Sequence, residues 1–150
     1  MNSLRFRKAA RQDMDWLYQT FKLTMQAYIQ QTWGWDELLQ RHAFQDNLPA
    51  ASFTIASRDG TDIGAYSVQE KSDHLWLEMV LVLPELQNQG LGSKLLRRAQ
   101  EGAAAKGKPL RLSVLKVNPA QRFYKRLGFQ VTGEDAWSFK MECGSLPASD

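Results

Sequence analysis

Residues 75–93 of the chain read LWLEMVLVLPELQNQGLGS, an apolar run followed by a short loop with two glycines. The apolar run predicts a strand from His74 to Leu83 that is buried on both faces, with Glu78 as its one charged residue. Pro84 ends the strand because proline cannot donate a ladder hydrogen bond. Apolar residues then recur at helical spacing from about Gly90 to Lys106. The stretch therefore predicts a strand, a glycine loop and a helix in succession.

The residues on either side of this stretch predict the other elements of the fold. Strand patterns occur at Leu4–Arg7, Ser52–Ser57, Ile63–Gln69, Leu110–Leu115, Phe129–Thr132 and Trp137–Met141. Helical patterns predict a long first helix capped by Asp13, a second helix from about Asp36 to Phe44, and a short one from Pro119 to Leu127. The order β-α-α-β-β-β-α-β-α-β-β indicates an α/β fold with a mixed central β-sheet flanked by helices.

Composition is that of an ordinary globular domain. Of the 150 residues, 43% are hydrophobic and 23% are charged, which suits one domain with one core. We expect this domain to cover residues 1–143 and the polar residues 144–150 to form a mobile tail. Cys143 is the only cysteine, which fits a reducing compartment. No apolar run approaches the roughly 20 residues of a membrane span, so we expect a cytoplasmic protein.

The glycine loop has the features of an anion site. Gly90 and Gly92 allow a ligand to approach the backbone closely, and the helix that follows presents free N–H groups and the positive end of its dipole. The string is not a P-loop, and a dinucleotide fingerprint fails because Leu95 stands where a third glycine or alanine is needed. The two glycines have a plainer interpretation as a tight turn.

A second stretch carries several residue types with distinct positions. Asn118, Ala120, Tyr124 and the pair Gly128-Phe129 occur within a predicted short helix and its two ends. Each has an ordinary structural interpretation: asparagine before a proline suits a helix N-terminus, and glycine suits the position after a helix. Considered singly, these residues indicate only a well-bounded helix.

Considered together, the two stretches resemble the signature motifs of the GNAT superfamily of N-acetyltransferases. Gln-x-x-Gly-x-Gly at residues 87–92 and the Asn, Ala, Tyr and Gly-Phe elements at residues 118–129 carry the resemblance. It covers Leu75 to Met141, and the preceding half agrees only in element order. The resemblance implies a GNAT-like fold and direct transfer of the acetyl group of acetyl-CoA, as co-substrate, to a primary amine in a ternary complex, with no metal.

The resemblance also implies which residues bind acetyl-CoA. The family's equivalent strand bends at a bulge, where its backbone would bind the acetyl carbonyl and the pantetheine arm, and the backbone of the loop would bind the pyrophosphate. Asn118 would contact the arm or orient its loop, and Tyr124 would protonate the departing thiolate. The implied cofactor-binding residues are Val80, Leu81, Val82, Gln87, Asn88, Gln89, Gly90, Leu91, Gly92, Ser93, Asn118 and Tyr124.

Glu78 is the candidate general base, because some family members carry a glutamate on this strand. Strand alternation predicts that Glu78 shares a face with Val80 and Val82. The alternative is a structural glutamate that pairs with a cation or points to solvent. The first helices form much of the family's acceptor site, which implies Tyr28, Trp33 and Trp35 here, together with Glu78. Both tryptophans have a plainer interpretation as cover for the core.

Other functions remain open from the sequence. A non-catalytic acyl-CoA-binding or sensor domain would share the fold and the loop. A nucleic-acid-binding module is suggested only by the net charge of +3, and the chain lacks a basic stripe interleaved with aromatic residues. The acceptor could be a small-molecule amine or the amine of a peptide or protein. We expect no membrane partner, and the resemblance allows a homodimer without specifying its interface.

Overall fold

The computed structural model describes residues 3–144, which form four helices and seven strands. The elements are β1 (Leu4–Lys8), α1 (Met14–Trp33), α2 (Glu37–Asn47), β2 (Phe53–Arg58), β3 (Thr61–Glu70), β4 (Leu75–Val82), α3 (Leu91–Ala105), β5 (Leu110–Leu115), α4 (Ala120–Arg126), β6 (Gln130–Glu134) and β7 (Ser138–Cys143). The order is the one predicted, which confirms the fold class. The predicted mobile tail lies outside the described residues, apart from Gly144.

The strands form one sheet in the order β1-β2-β3-β4-β5-β7-β6. All neighbouring pairs are antiparallel except β4 and β5, which are parallel. Asp59 and Gly60 join β2 to β3 with φ values of 52° and 80°, as expected of the predicted Asp-Gly hairpin turn. The strands of the single parallel pair lead into the two stretches that carry the family resemblance: β4 leads to residues 87–92 and β5 leads to residues 118–129.

Helices cover both faces of the sheet and divide the core into two parts. Leu95 and Leu96 of α3 lie in one cluster, against which Phe123 and Leu127 of the α4 region also pack. The other cluster contains side chains of α1 and α2, including the fully buried Leu17. Consequently α3 and α4 share one face of the sheet, and α1 and α2 share the other. None of the helices formed by residues 3–144 has the length and apolarity of a membrane span.

A bulge in β4 overturns two expectations about Glu78. Ser67 of β3 pairs with Met79 and Val68 pairs with Leu77, so Glu78 is an extra residue without a partner on β3. The bulge resets the alternation, and Val80 therefore packs against the α3 cluster. Glu78 is exposed and lies with Met79 on the side of α1 and α2. It shares no face with Val80 or Val82, and the strand is not buried on both faces here.

Asp13 does not cap α1 with its side chain. Its carboxylate instead accepts hydrogen bonds from the Ala10 amide at 2.7 Å and from the Arg7 guanidinium at 2.8 Å. The hydrogen bond from Arg7 holds the pKa of Asp13 below its ordinary value. Asp36, in contrast, does cap α2, because its Oδ1 accepts a hydrogen bond from the Leu39 amide at 3.0 Å. The predicted starting point of α2 is confirmed, and the helix runs three residues beyond the predicted end, to Asn47.

Gly64 of β3 lies close to both the backbone of β4 and the side chains of α3, and its replacement by alanine is expected to destabilise the fold. A Cβ there would lie 2.8 Å from the Leu81 carbonyl oxygen and 3.2 Å from Leu95 Cδ1. We expect Gly64→Ala to lower the free energy of unfolding by about 1–3 kcal/mol, measured by urea denaturation. Gly102→Ala in α3, where a Cβ meets no atom within 4 Å, should instead raise it by about 0.5–1 kcal/mol. Equal stability of the two variants would contradict this packing.

Candidate active site

The parallel strands β4 and β5 separate after two residue pairs and open a cleft. They are paired only at Leu75 with Leu110 and at Trp76 with Arg111. Beyond that point β5 continues to pair with β7 as far as Leu115. The edge of β4 that faces β5 is therefore free of strand partners from residue 77 to residue 82. A crevice at the carboxyl ends of parallel strands is a common place for a ligand in α/β folds.

The glycine loop lies at the mouth of this cleft. Gly90 has φ 83° and Asn88 has φ 65°, so two residues of the loop are left-handed. Lys94 donates the first hydrogen bond of α3, to the Gly90 carbonyl at 3.2 Å. Within the described chain, the preceding amides of residues 91–93 have no acceptor. Free amides at a helix N-terminus are suited to bind an anion.

The side chains of the glycine loop contribute less to a possible ligand site than the backbone of the loop does. Gln87 Nε2 donates to the Val82 carbonyl at 3.1 Å and so ties the loop to the end of β4. The Leu91 side chain is buried in the core, which leaves only its backbone for a ligand. Gln89 is exposed and Ser93 is half-buried. The predicted site residues of the loop thus lie together, and its backbone is the part available to a ligand.

The basic residues after the loop differ in their availability. Lys94 and Arg97 are exposed in the first turns of α3. The Arg98 guanidinium lies over the ring of Phe6 in β1, 4.3 Å from its centroid. Arg98 is therefore engaged at the edge of the sheet, and only the first two are candidates to meet a bound phosphate.

The helix α4, which carries Tyr124, packs beside the glycine loop. Asn118 is buried, and its Oδ1 accepts a hydrogen bond from the Ala120 amide at 2.9 Å, so it shapes the start of α4. A Cβ on Gly92 would lie 3.4 Å from Phe123 Cζ, which shows that the first turn of α3 packs on α4. The glycine loop and the helix of Tyr124 are thus direct neighbours on the α3 side of the sheet.

Tyr124 is half-buried in an aromatic environment. Its ring centroid lies 5.4 Å from that of Phe123 and 5.7 Å from that of Phe129. Burial raises the pKa of Tyr124 to about 12, so the phenol keeps its proton at neutral pH. Among residues 3–144 no group forms a hydrogen bond with its hydroxyl. Tyr124 is therefore a protonated donor without a hydrogen-bond partner among the described residues, in a helix that packs beside the glycine loop.

A pocket of about 220 Å³ lies on the opposite face of the sheet, at the bulge. Its walls come from α1, α2 and β4, and its lining residues are Phe21, Gln40, Ala43, Phe44, Asn47, Leu48, Glu78 and Met79. Of these residues, only Glu78 was predicted from the sequence as a site residue. The spacing of Gln40, Ala43 or Phe44, and Asn47 is that of one helical face, and this was the available signal. Glu78 is the one charged group among these lining residues.

The predicted acceptor residues other than Glu78 do not line this pocket. Trp35 packs on Phe21 with ring centroids 6.2 Å apart. Tyr28 is half-buried and packs against the core under α1. Trp33 is the last residue of α1; it is 56% exposed and meets Trp137 edge-on at 6.0 Å, outside the lining of the pocket. The plainer interpretation of core cover thus describes Trp35, and Trp33 forms an exposed pair with Trp137.

Glu37 connects the segment between α1 and α2 to the body of the protein. Its carboxylate accepts hydrogen bonds from Tyr18 Oη at 2.8 Å and from Trp35 Nε1 at 2.9 Å, and it forms an ion pair with Lys22 at 2.7 Å. A longer contact of 3.5 Å joins it to Arg41. Lys22, followed by Trp35 and Tyr18, lowers the pKa of Glu37 to about 2.

Within the described ranges, no group of three or more His, Cys, Asp or Glu residues could hold a metal ion.

Comparison with curated proteins finds relatives over part of the chain. The chain is 41% identical over 70 residues to thialysine N-epsilon-acetyltransferase from Bos taurus, and 38% identical over 73 residues to the Mus musculus protein of the same name. These matches cover 45% and 46% of this chain, but only 41% and 43% of the relatives. The chain therefore matches less than half the length of these curated relatives.

Solved structures share the fold over nearly the whole chain. PaiA N-acetyltransferase from Thermoplasma acidophilum, in complex with coenzyme A, superposes with a TM-score of 0.77 at 21% identity and covers 95% of this chain and 99% of its own. Ribosomal-protein-S18-alanine N-acetyltransferase from Escherichia coli gives a TM-score of 0.75 at 18% identity, with coverage of 99% and 97%. The family model of the acetyltransferase (GNAT) domain matches residues 49–131. With more than half of its length matched by that model, the chain belongs to the GNAT acetyltransferase family.

Proposed function

We propose that this protein transfers the acetyl group of acetyl-CoA to a primary amine, by direct attack of the amine in a ternary complex within the cleft between β4 and β5. One observation carries the proposal. On one face of the sheet a free helix N-terminus lies beside α4, which carries the protonated Tyr124, and on the other face a pocket with an exposed carboxylate opens at the β4 bulge. Two substrates could therefore meet across the same strand.

The backbone performs most of the binding of acetyl-CoA in this proposal. The free amides of residues 91–93 receive the pyrophosphate, helped by the dipole of α3. The unpaired edge of β4 at Val80, Leu81 and Val82 offers strand-type hydrogen bonds to the amides of the pantetheine arm. Amides on that edge also stabilise the negative charge that develops on the carbonyl oxygen.

Two side chains handle the protons. Glu78 accepts a proton from the amine, directly or through a water molecule, as the nitrogen attacks. Tyr124 donates a hydrogen bond to the sulfur as negative charge develops there. An ordinary thiol has a pKa of about 8.5, so a phenol with a raised pKa is the weaker acid. Tyr124 therefore contributes first as a hydrogen-bond donor and transfers its proton only as the bond to sulfur breaks.

The relatives support nitrogen as the destination of the acetyl group. The names thialysine N-epsilon-acetyltransferase and ribosomal-protein-S18-alanine N-acetyltransferase denote proteins that acetylate amines. Both a small-molecule amine and an amine on a peptide or protein fit the proposal at this level.

Thiol release from acetyl-CoA in the presence of a panel of amines tests the proposal. We expect release with one class of amine, and initial rates that give intersecting double-reciprocal lines when both substrates are varied. Parallel lines would contradict direct attack, because they indicate a covalent acetyl-enzyme. Tight binding of acetyl-CoA without release for any amine would instead favour an acyl-CoA sensor.

Glu37→Ala should raise the KM for the amine by about tenfold, because small displacements at a site have large effects, and should leave the KM for acetyl-CoA unchanged. The substitution releases Trp35, which packs on Phe21 of the pocket wall. Glu101→Ala on the exposed surface of α3 is the matched control. The contacts of the Glu37 carboxylate should persist in mildly acid solution. Because the pKa of Glu37 is lowered from 4.5 to about 2, the contribution of these contacts to stability is complete above about pH 4.5 and is lost as the pH falls toward 2. Equal rises in both KM values would contradict a local role.

A further inference from the structure

The pocket at the β4 bulge has a chemical character that is more specific than a general amine site. Its lining consists of two phenylalanine rings, three aliphatic or thioether side chains, two amides and one carboxylate, that of Glu78. Building on the proposed function, we infer that the acceptor is a primary alkylamine whose chain carries no carboxylate, and that a second ammonium group on the chain is accepted.

The charges around the pocket support this assignment. No lysine or arginine belongs to the lining of this pocket, which is formed wholly by described residues. The nearby cations Lys22 and Arg41 both contact Glu37, at 2.7 Å and 3.5 Å. A carboxylate on the acceptor would therefore find no free cation here. It would also be repelled by Glu78, since like charges oppose each other.

The walls of the pocket suit a methylene chain with an ammonium group at its far end. The rings of Phe21 and Phe44, 5.2 Å apart, provide apolar cover for the chain. Aromatic faces attract a cation, and the side-chain carbonyl oxygens of Gln40 and Asn47 can accept hydrogen bonds from it. The pocket can therefore bind an ammonium group at either end of the methylene chain, whereas a carboxylate would lose its hydration without gaining a partner.

Lysine and 1,5-diaminopentane form a matched pair of probes, because they differ only in the carboxylate. Calorimetry on the full chain with bound coenzyme A should give tighter binding of the diamine by about tenfold or more, because the carboxylate of lysine has no partner in the pocket and is repelled by Glu78. The ratio of kcat/KM values from thiol release should favour the diamine by a similar factor.

Asn47→Lys provides a gain-of-charge test. Asn47 is exposed at the last position of α2, where a cation suits the helix dipole, so the variant should fold. We expect it to reduce the preference for the diamine at least about threefold, by pairing with the carboxylate of lysine. Gln45→Lys is the matched control: it adds the same charge to the same helix at an exposed position outside the pocket, and it should leave the preference unchanged.

Binding measured by calorimetry and turnover measured by thiol release separate this inference from the proposed function. Preferential binding of the diamine without turnover would support the pocket assignment and overturn the acetyl transfer. Turnover or binding that favours lysine would overturn the assignment and leave acetyl transfer standing. Binding of neither probe, with both variants indistinguishable from the parent, would also overturn it, because the pocket would then not be an acceptor site for alkylamines.

Discussion

Tyr124→Phe should lower kcat by a factor of about 10² to 10⁴, the range expected when a positioned acid is removed. The ring remains, so its contacts with Phe123 and Phe129 remain as well, and the fold should be unaffected. Only the hydroxyl is lost, and with it the hydrogen bond to the departing sulfur. The KM values for both substrates should change little, because the interaction develops in the transition state.

Steady-state kinetics with thiol detection measures this effect, and Tyr66→Phe is the matched control. Tyr66 is buried in the core of β3 and has no role in the proposed chemistry. The Tyr66→Phe variant should retain the kcat of the parent protein. The assignment of Tyr124 fails if its variant turns over at the parent rate, or if the two variants lose activity equally.

Gly90→Ala should weaken the binding of acetyl-CoA by about tenfold to a hundredfold, because charge-assisted hydrogen bonds from loop amides are strong and would be misplaced. Gly90 has φ 83°, a conformation that costs an alanine about 1–2 kcal/mol. The loop relieves this strain by moving, which shifts the amides of residues 91–93 relative to the cleft. The kcat at saturating acetyl-CoA should be much less affected.

Calorimetric titration of acetyl-CoA into each variant measures the change in Kd. Gly102→Ala, in the same helix but with open space around it, should bind as the parent does. Unchanged affinity in Gly90→Ala would show that the loop is only a turn, which is the plainer interpretation of its two glycines.

Local sequence signals predicted the segment from β4 to α3 well. An apolar run, a proline, two glycines and a helical repeat determine their own structures over short distances, and the observed elements lie close to the predicted bounds. The cleft was not predicted, since the splitting of β4 from β5 depends on how distant strands pair. The roles of the individual site residues stay predictions.

Glu78 shows where sequence reasoning failed and why. Alternation along a strand assumes regular pairing, but the extra residue in β4 is defined only by its partners in β3, Ser67 and Val68. The same limit hid the pocket, because Phe21 and Phe44 meet Glu78 only through the packing of two helices on the sheet. The prediction that Asp13 caps α1 was wrong for a related reason, since the Asp13 carboxylate instead accepts a hydrogen bond from Arg7 of β1.

Binding of acetyl-CoA in the cleft between β4 and β5 can be measured residue by residue from the amide spectrum of the ¹⁵N-labelled chain during titration with acetyl-CoA. We expect saturable shifts with a single Kd that are largest at Gly90, Leu91, Gly92 and Ser93, and at the free edge of β4 from Val80 to Val82. The amides of β1 and β6, at the far edges of the sheet, should not move. Saturable shifts elsewhere with none at the loop, or no shifts at millimolar acetyl-CoA, would contradict the proposal that this cleft binds acetyl-CoA.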